Sequence, residues 1–212
     1  MSEQVETNNE NSAGAPQPGF VVIVSGASGA GKGTVISKLK EYRDDFVLSI
    51  STTTRPSRGE NVVGEHYQHV TAEEFHQMVS EGAFLEWAEV HGHLYGTRRA
   101  WVEEKLMEGW VVMLEIDVQG GLQIMERKID QTSVFVTPSK REVAHERLRR
   151  RKTESKEDIE RRIRNSDWEY AQMNRFDYLL INDSGKLDEA AATLSAILTA
   201  ERARIGRSNV RP

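Results

Sequence analysis

The stretch 20–34, FVVIVSGASGAGKGT, constrains this chain more than any other. Phe20 to Val24 is a short apolar, β-branched run that reads as a strand buried on both faces, as a parallel sheet requires. Gly26, Gly29, Gly31 and Gly33 then open a loop, and residues 35–42 have the composition of a helix. Glycines let a backbone turn tightly with its N–H groups pointing inward, and a helix N-terminus adds positive potential. Lys32 brings a charge that reaches a terminal phosphate. The spacing G-x-x-x-x-G-K between strand and helix is that of a P-loop, formed by Gly26, Ala27, Ser28, Gly29, Ala30, Gly31, Lys32, Gly33 and Thr34. An ordinary glycine-rich turn is the competing reading, and it does not account for both flanks and the lysine together.

One position departs from the common form. Gly33 follows Lys32 where Ser or Thr is usual, and the hydroxyl comes one place later, at Thr34. In P-loop enzymes the first hydroxyl ligates Mg²⁺. The metal must here be held by water, phosphates and another carboxylate.

At 212 residues the chain is long enough for one well-packed α/β domain with lobes inserted into it. No apolar run approaches the length of a membrane span, and the N-terminus lacks the basic-then-apolar pattern of a signal peptide. Cysteine is absent, which excludes disulfides and thiolate metal sites and suits a reducing, cytoplasmic compartment. A net charge of −5 argues against a general nucleic-acid binder, although arginines cluster at 55–58 and 147–164.

Residues 1–18 are polar and rich in Asn, Glu, Gly and Pro, which predicts a disordered tail. Strands are predicted at 20–24, 46–50, 110–116, 133–136 and 178–181, with helices between them at 98–108, 140–151 and 186–203. This alternation predicts an α/β fold, a doubly wound parallel sheet flanked by helices, with ligands at the carboxyl ends of the strands. Two stretches break the alternation. Residues 51–97 are rich in Ser, Thr, Gly, His and Arg, with strand-like pieces at 66–70 and 84–90 and a helix at 72–80, and suggest a small inserted lobe. Residues 139–168 are highly charged and read as two helices joined near Lys152 to Ser155. A solvated helical face is the default meaning of such a charge run.

With the P-loop, STTTRPSRGENVVGEHY at 51–67, FLEWAEVHGHLYGT at 84–97, LEIDVQG at 114–120 and INDS at 181–184 in order, the sequence resembles guanylate kinases from about Phe20 to about Arg204. The resemblance implies a parallel-sheet core (19–50, 98–138 and 169–204), a GMP-binding lobe (51–97) and an arginine-bearing lid (139–168), followed by a C-terminal tail at 205–212. It also implies transfer of the ATP γ-phosphoryl group to GMP, with Mg²⁺ as cofactor and dGMP as a second acceptor. The GKGT form resembles the adenylate kinase loop, so Gly33 is compatible with this chemistry.

The resemblance implies that Arg55, Arg58 and Tyr67 hold the GMP phosphate, and guanidinium groups suit bidentate contact with phosphate oxygens. It assigns Glu86 to guanine, whose N1–H and 2-amino donors a carboxylate can accept together. Ser51 and Thr97 match hydroxyls that contact the base, Asp117 a further base-side carboxylate, and Tyr95 and Gly96 the same wall. On the donor side stand Lys32, Glu115 near the Mg²⁺ and acting through water, and Asn182 lining the adenine side. Arg147 and Arg151 share a helical face at i, i+4, and with Arg162 they match the lid arginines that stabilise the transferring phosphoryl group. Arg149, Arg150, Arg161 and Arg164 read as solvated charges.

Three departures from the family pattern concern local roles. Glu115 stands for the usual aspartate, TRPSRGEN displaces Glu60, and Lys152 stands where glycine is common. His91 and His93 form an H-x-H pair with no third ligand nearby and read as polar turn residues. Two other functions fit the same fold: a non-catalytic protein-binding module, and a kinase for a sugar phosphate. Intact Lys32, Arg55 and Arg58 argue against the first, and the guanine-side set Ser51, Glu86 and Thr97 against the second.

Overall fold

A computed structural model describes residues 19–57, 67–90, 92–127, 129–150 and 156–207. The predicted N-terminal tail, Arg58, His91 and Arg151 lie outside the described residues, as does the turn expected near Lys152 to Ser155. Strand β1 (Phe20–Gly26) is buried along its whole length. It sits at the centre of a five-stranded sheet with β2 (Phe46–Leu48), β7 (Val111–Glu115), β8 (Gln131–Thr137) and β9 (Tyr178–Ile181), in the order β2-β7-β1-β8-β9. Every pairing in this sheet is parallel.

The unbroken apolar run in β1 follows from its two-sided burial. Val22 and Val24 face Val35, Ile36 and Leu39 of α1 (Lys32–Lys40) and Leu194 and Leu198 of α7 (Leu187–Arg202). Val21 and Ile23 face the opposite core, with Val102 of α3 (Arg99–Met107) and Ile124 of α4 (Val118–Met125). Because side chains alternate along a strand, one five-residue segment serves two cores, and no polar residue is tolerated between them.

The strand predicted at 46–50 is shorter than expected, and residues 49–50 link it to a separate strand. β2 ends at Leu48, and β3 (Ser51–Thr53) belongs to a second sheet. That sheet has the order β4-β3-β6-β5, built from β3, β4 (Tyr67–His69), β5 (Phe84–Val90) and β6 (His93–Arg98). Strand β6 was not expected, because its glycine and polar composition hides it. A turn at Gly92, whose φ is +81°, folds it back on β5, and pairing supplies what propensity does not. Helix α2 (Ala72–Ser80) matches the predicted span and opens with a capping box between Thr71 and Glu74.

The charged stretch forms α5 (Arg141–Arg149) and α6 (Lys156–Ala171). Ala144 and Leu148 of α5 and Ile159, Ser166 and Tyr170 of α6 are buried, so each helix keeps one face on the protein. Of the expected tail at 205–212, residues 205–207 are described. Ile205–Arg207 makes a short 3₁₀ turn that returns Arg207 to the core with 3 % exposure. Its guanidinium bonds Glu201, Asp130, Thr132 and the Gln131 carbonyl and lies 4.2 Å from the centre of the Phe20 ring. No helix among the described residues is long and apolar enough to cross a membrane.

Candidate active site

The loop after β1 lies at the carboxyl end of the parallel sheet, where α/β folds collect their ligands. Gly26 has φ +140°, and a side chain there would place its Cβ 2.1 Å from the Val136 carbonyl oxygen. Only glycine allows the loop to leave the strand in this direction. Gly31, at φ +85°, stands at the N-cap of α1 and turns the backbone into the helix. Lys32 folds back so that its Nζ donates to the Gly26 carbonyl at 2.9 Å, closing the loop over its own backbone. Asn182 braces the outer side, its Nδ2 donating to the Ala30 carbonyl at 2.8 Å.

The second sheet presents a row of polar side chains towards this loop. Strand register pairs Tyr67 with Ser51, Ser51 with Thr97, and Thr97 with Glu86, so the four stand side by side across all four strands. Residues paired across strands share a face of the sheet. Tyr95, two residues from Thr97, shares it too, while Gly96 is turned to the other side. There Gly96 makes room for the Phe84 ring, which a Cβ would approach to 2.7 Å. The open side of Gly96 thus serves the packing of the Phe84 ring.

Glu86 departs from strand alternation. A bulge between Phe84 and Glu86 leaves Phe84, Leu85 and Glu86 all buried, and Glu86 is 4 % exposed. Thr97 Oγ1 donates to its Oε1 at 2.6 Å. Gly120 of α4 comes so close that a Cβ there would lie 2.5 Å from Oε2. Burial raises the Glu86 carboxyl to about 7, against the Thr97 hydrogen bond, and the nearby Asp117 charge adds to the rise. Asp117 caps α4 by accepting from the Gly120 N–H at 2.9 Å, and burial raises its carboxyl as well.

Loop and row open onto one cavity of about 620 Å³. Of the residues singled out by sequence, Ser28 to Thr34, Ser51, Arg55, Tyr67, Glu86, Tyr95, Glu115, Asp117 and Arg162 line it. Arg55 lies 5.4 Å over the Tyr67 ring, and its buried Nε–H finds no acceptor among the described residues. Arg147 stands behind the loop instead, with Nη1 on the Ala30 carbonyl at 3.3 Å and Nη2 on the Asn182 carbonyl at 2.9 Å. Thr97 reaches the cavity through Glu86, and Gly26 and Ala27 through the backbone of the loop.

Ala88, Val90, His93, Ile116, Arg161 and Glu169 line the cavity as well without a role assigned from sequence, and His93 opens strand β6 instead of standing in a turn. Arg161, set aside as a solvated charge, lines the cavity beside Arg162. Glu169 of α6 accepts from the Ser28 N–H at 2.8 Å and its hydroxyl at 3.4 Å. No motif marks Glu169, since its place opposite the loop is created by the packing of α6. Burial lowers the Lys32 ammonium from its ordinary value, while Glu169, Glu115 and Asp117 around it act in the other direction. A polyphosphate entering here meets three carboxylates as well as Lys32, which suits a nucleotide carrying a divalent cation.

A parallel sheet with a P-loop at its carboxyl edge, facing a polar sheet across a shared cavity, defines a P-loop nucleotide-binding α/β protein. The family model for guanylate kinase matches residues 19–201. A guanylate kinase of Thermotoga maritima is 40 % identical over 190 residues, covering 90 % of this chain and 91 % of that protein. One of Anaeromyxobacter dehalogenans is 45 % identical over 189 residues, covering 88 % and 83 %. The crystal structure of guanylate kinase from Anaplasma phagocytophilum matches with a TM-score of 0.71 at 31 % identity, covering 91 % of this chain and 90 % of that one. The chain belongs to the guanylate kinase family, a family of enzymes.

Proposed function

We propose that the protein transfers the γ-phosphoryl group of ATP to GMP, giving GDP and ADP, with dGMP as a second acceptor. The reading rests on one observation above others: the phosphate loop ending in Lys32 and the buried Glu86 carboxylate line the same cavity. The loop amides and Lys32 hold the donor phosphates, and Glu86 accepts from guanine N1–H and the 2-amino group. Ser51, Thr97 and Asp117 support that edge, and Arg55, Arg58 and Tyr67 hold the acceptor phosphate. Adenine lacks both donors and would leave Glu86 buried and unmatched. Discrimination against AMP should reach about 10⁴-fold, as at other sites that pair buried polar groups with a substrate.

Phosphoryl transfer needs alignment and neutralisation of spreading charge more than covalent help. Lys32, Arg55 and Arg162 from the cavity, with Arg147 and Arg151 of the lid, are the cations assigned to that work. Mg²⁺ would be held by the nucleotide phosphates with Glu115 through water, and it supplies charge neutralisation between the phosphates. Approach of the lid helices would exclude water, whose competing reaction is ATP hydrolysis. The setting we infer is cytoplasmic purine nucleotide metabolism, with the polar cavity turned to small nucleotides and not to nucleic acid or membrane.

A coupled ADP-release assay with GMP, dGMP, AMP, UMP and ribose 1,5-bisphosphate tests this. Turnover should depend on GMP or dGMP and be lost in Lys32→Ala. In Glu86→Gln, turnover should fall and its selectivity against AMP should shrink. Turnover with the sugar phosphate alone, or no turnover with any acceptor while peptide binding persists, would overturn the proposal.

A further inference from the structure

Gly33 lies in the first turn of α1 with its φ outside the left-handed region, so its backbone admits any side chain. A glycine inside a helix is a destabilising choice unless something requires it. The requirement comes from across the site. A Cβ at position 33 would stand 3.0 Å from Glu115 Oε1 and 3.3 Å from Oε2, both carboxylate oxygens crowding the place a side chain would take. Glu115, the last residue of β7, thus points its carboxylate over the helix start beside Lys32. In the usual P-loop that volume belongs to the hydroxyl following the lysine, which faces the cation.

We infer that Gly33 and Glu115 act as one unit: the glycine vacates the hydroxyl's volume, and the longer carboxylate enters it and takes over the cation-facing role. The two departures from the common pattern are then a single exchange, a hydroxyl on the loop for a carboxylate on the neighbouring strand. An aspartate at 115 would be one methylene short of this position, and a serine at 33 would compete with Glu115 for space. The inference rests on the donor-side reading given under Proposed function.

The test is a double-mutant cycle in the full chain: unaltered protein, Gly33→Ser, Glu115→Asp and the pair together. The readout is Mn²⁺ affinity, measured by electron paramagnetic resonance in the presence of a non-hydrolysable ATP analogue. Each single change should weaken Mn²⁺ binding about tenfold, and the pair should bind within about threefold of the unaltered protein. Glu115→Gln keeps the size of the side chain and should also lose about tenfold, so it carries the test if Gly33→Ser does not fold. Losses that multiply in the double variant, or unchanged Mn²⁺ affinity in Glu115→Gln, would overturn the inference. If the unaltered protein binds neither the analogue nor Mn²⁺ with it, the donor-side reading fails first. Nucleotide binding with intact cation affinity but no coupling defeats only this inference.

Discussion

Holding Glu86 ionised in its pocket without a partner above it is costly. Burial takes its carboxyl from 4.5 to about 7, so the folded protein holds the proton more tightly than the unfolded chain. Below the unfolded value both states are protonated and no penalty exists. As pH rises from the ordinary carboxylate range towards 7 the unfolded chain ionises first, and the fold loses stability. Above 7 the loss is complete, at about 3 kcal/mol. Glu86→Gln should therefore raise the Tm of the unliganded protein at pH 8 more than at pH 5. The same proton competes with guanine, because only the charged form accepts from both donors. KM for GMP should climb as pH falls below about 7, by up to about tenfold per pH unit. Glu86→Gln should flatten that slope, and an equal slope in the variant would assign the titration to another group. Glu86 was legible in the sequence through the resemblance of the segment 84–97 to guanylate kinases. The bulge that turns it inward was not, since it depends on pairing with β6.

Helix α6 shows what an element adds to its residues. Arg162 and Glu169 are seven residues apart, two turns, and both line the cavity from one helix. The helix thus brings to the phosphate loop a cation and a carboxylate, the latter bonded to the Ser28 N–H. Glu169→Gln keeps an acceptor for that N–H, whereas Glu169→Ala leaves it without one. The alanine variant should raise KM for ATP about tenfold relative to the glutamine variant, measured by initial rates at saturating GMP. Equal KM values would leave the hydrogen bond without a part in shaping the loop. Composition alone reads this stretch as a solvated charged face, and much of it is exposed. Its buried line, Ile159, Ser166 and Tyr170, is sparse enough that the helical period is nearly lost among the charges.

At the scale of the whole molecule, the turn Ile205–Arg207 closes against the start of the central strand. Arg207 stacks over Phe20, the first residue of the central strand, and pairs with Glu201 and Asp130. Glu201 also accepts from Tyr178 Oη at 2.6 Å and Thr132 Oγ1 at 2.9 Å, tying α7 to β8 and β9. Removal of residues 205–212 would take the arginine from a buried carboxylate and expose the edge of Phe20. Such a truncation should cost about 3–5 kcal/mol, read as a fall in urea midpoint with little change in slope. Arg207→Met restores apolar cover without charge and should reproduce most of the loss, because buried Glu201 then keeps only the exposed Arg204, 3.6 Å away. A midpoint unchanged by either alteration would remove Arg207 from the account of stability. Short-range patterns end the domain near Arg204, since the stretch that follows has no helical or strand period.

The sequence by itself determined the phosphate loop and the parallel alternation, which are written locally: a two-faced apolar strand, glycines at fixed spacing, a lysine at a helix start. The other residues expected in the cavity were named by the resemblance and not by local pattern. Tertiary structure decided what depends on register and packing. It ended β2 at Leu48 and started the second sheet at Ser51, turned the open side of Gly96 towards Phe84, aligned Tyr67, Ser51, Thr97 and Glu86 in one row, and set Glu115 over Gly33. Each of these joins residues far apart along the chain, and only the pairing of strands and the close approach of backbones brings them together.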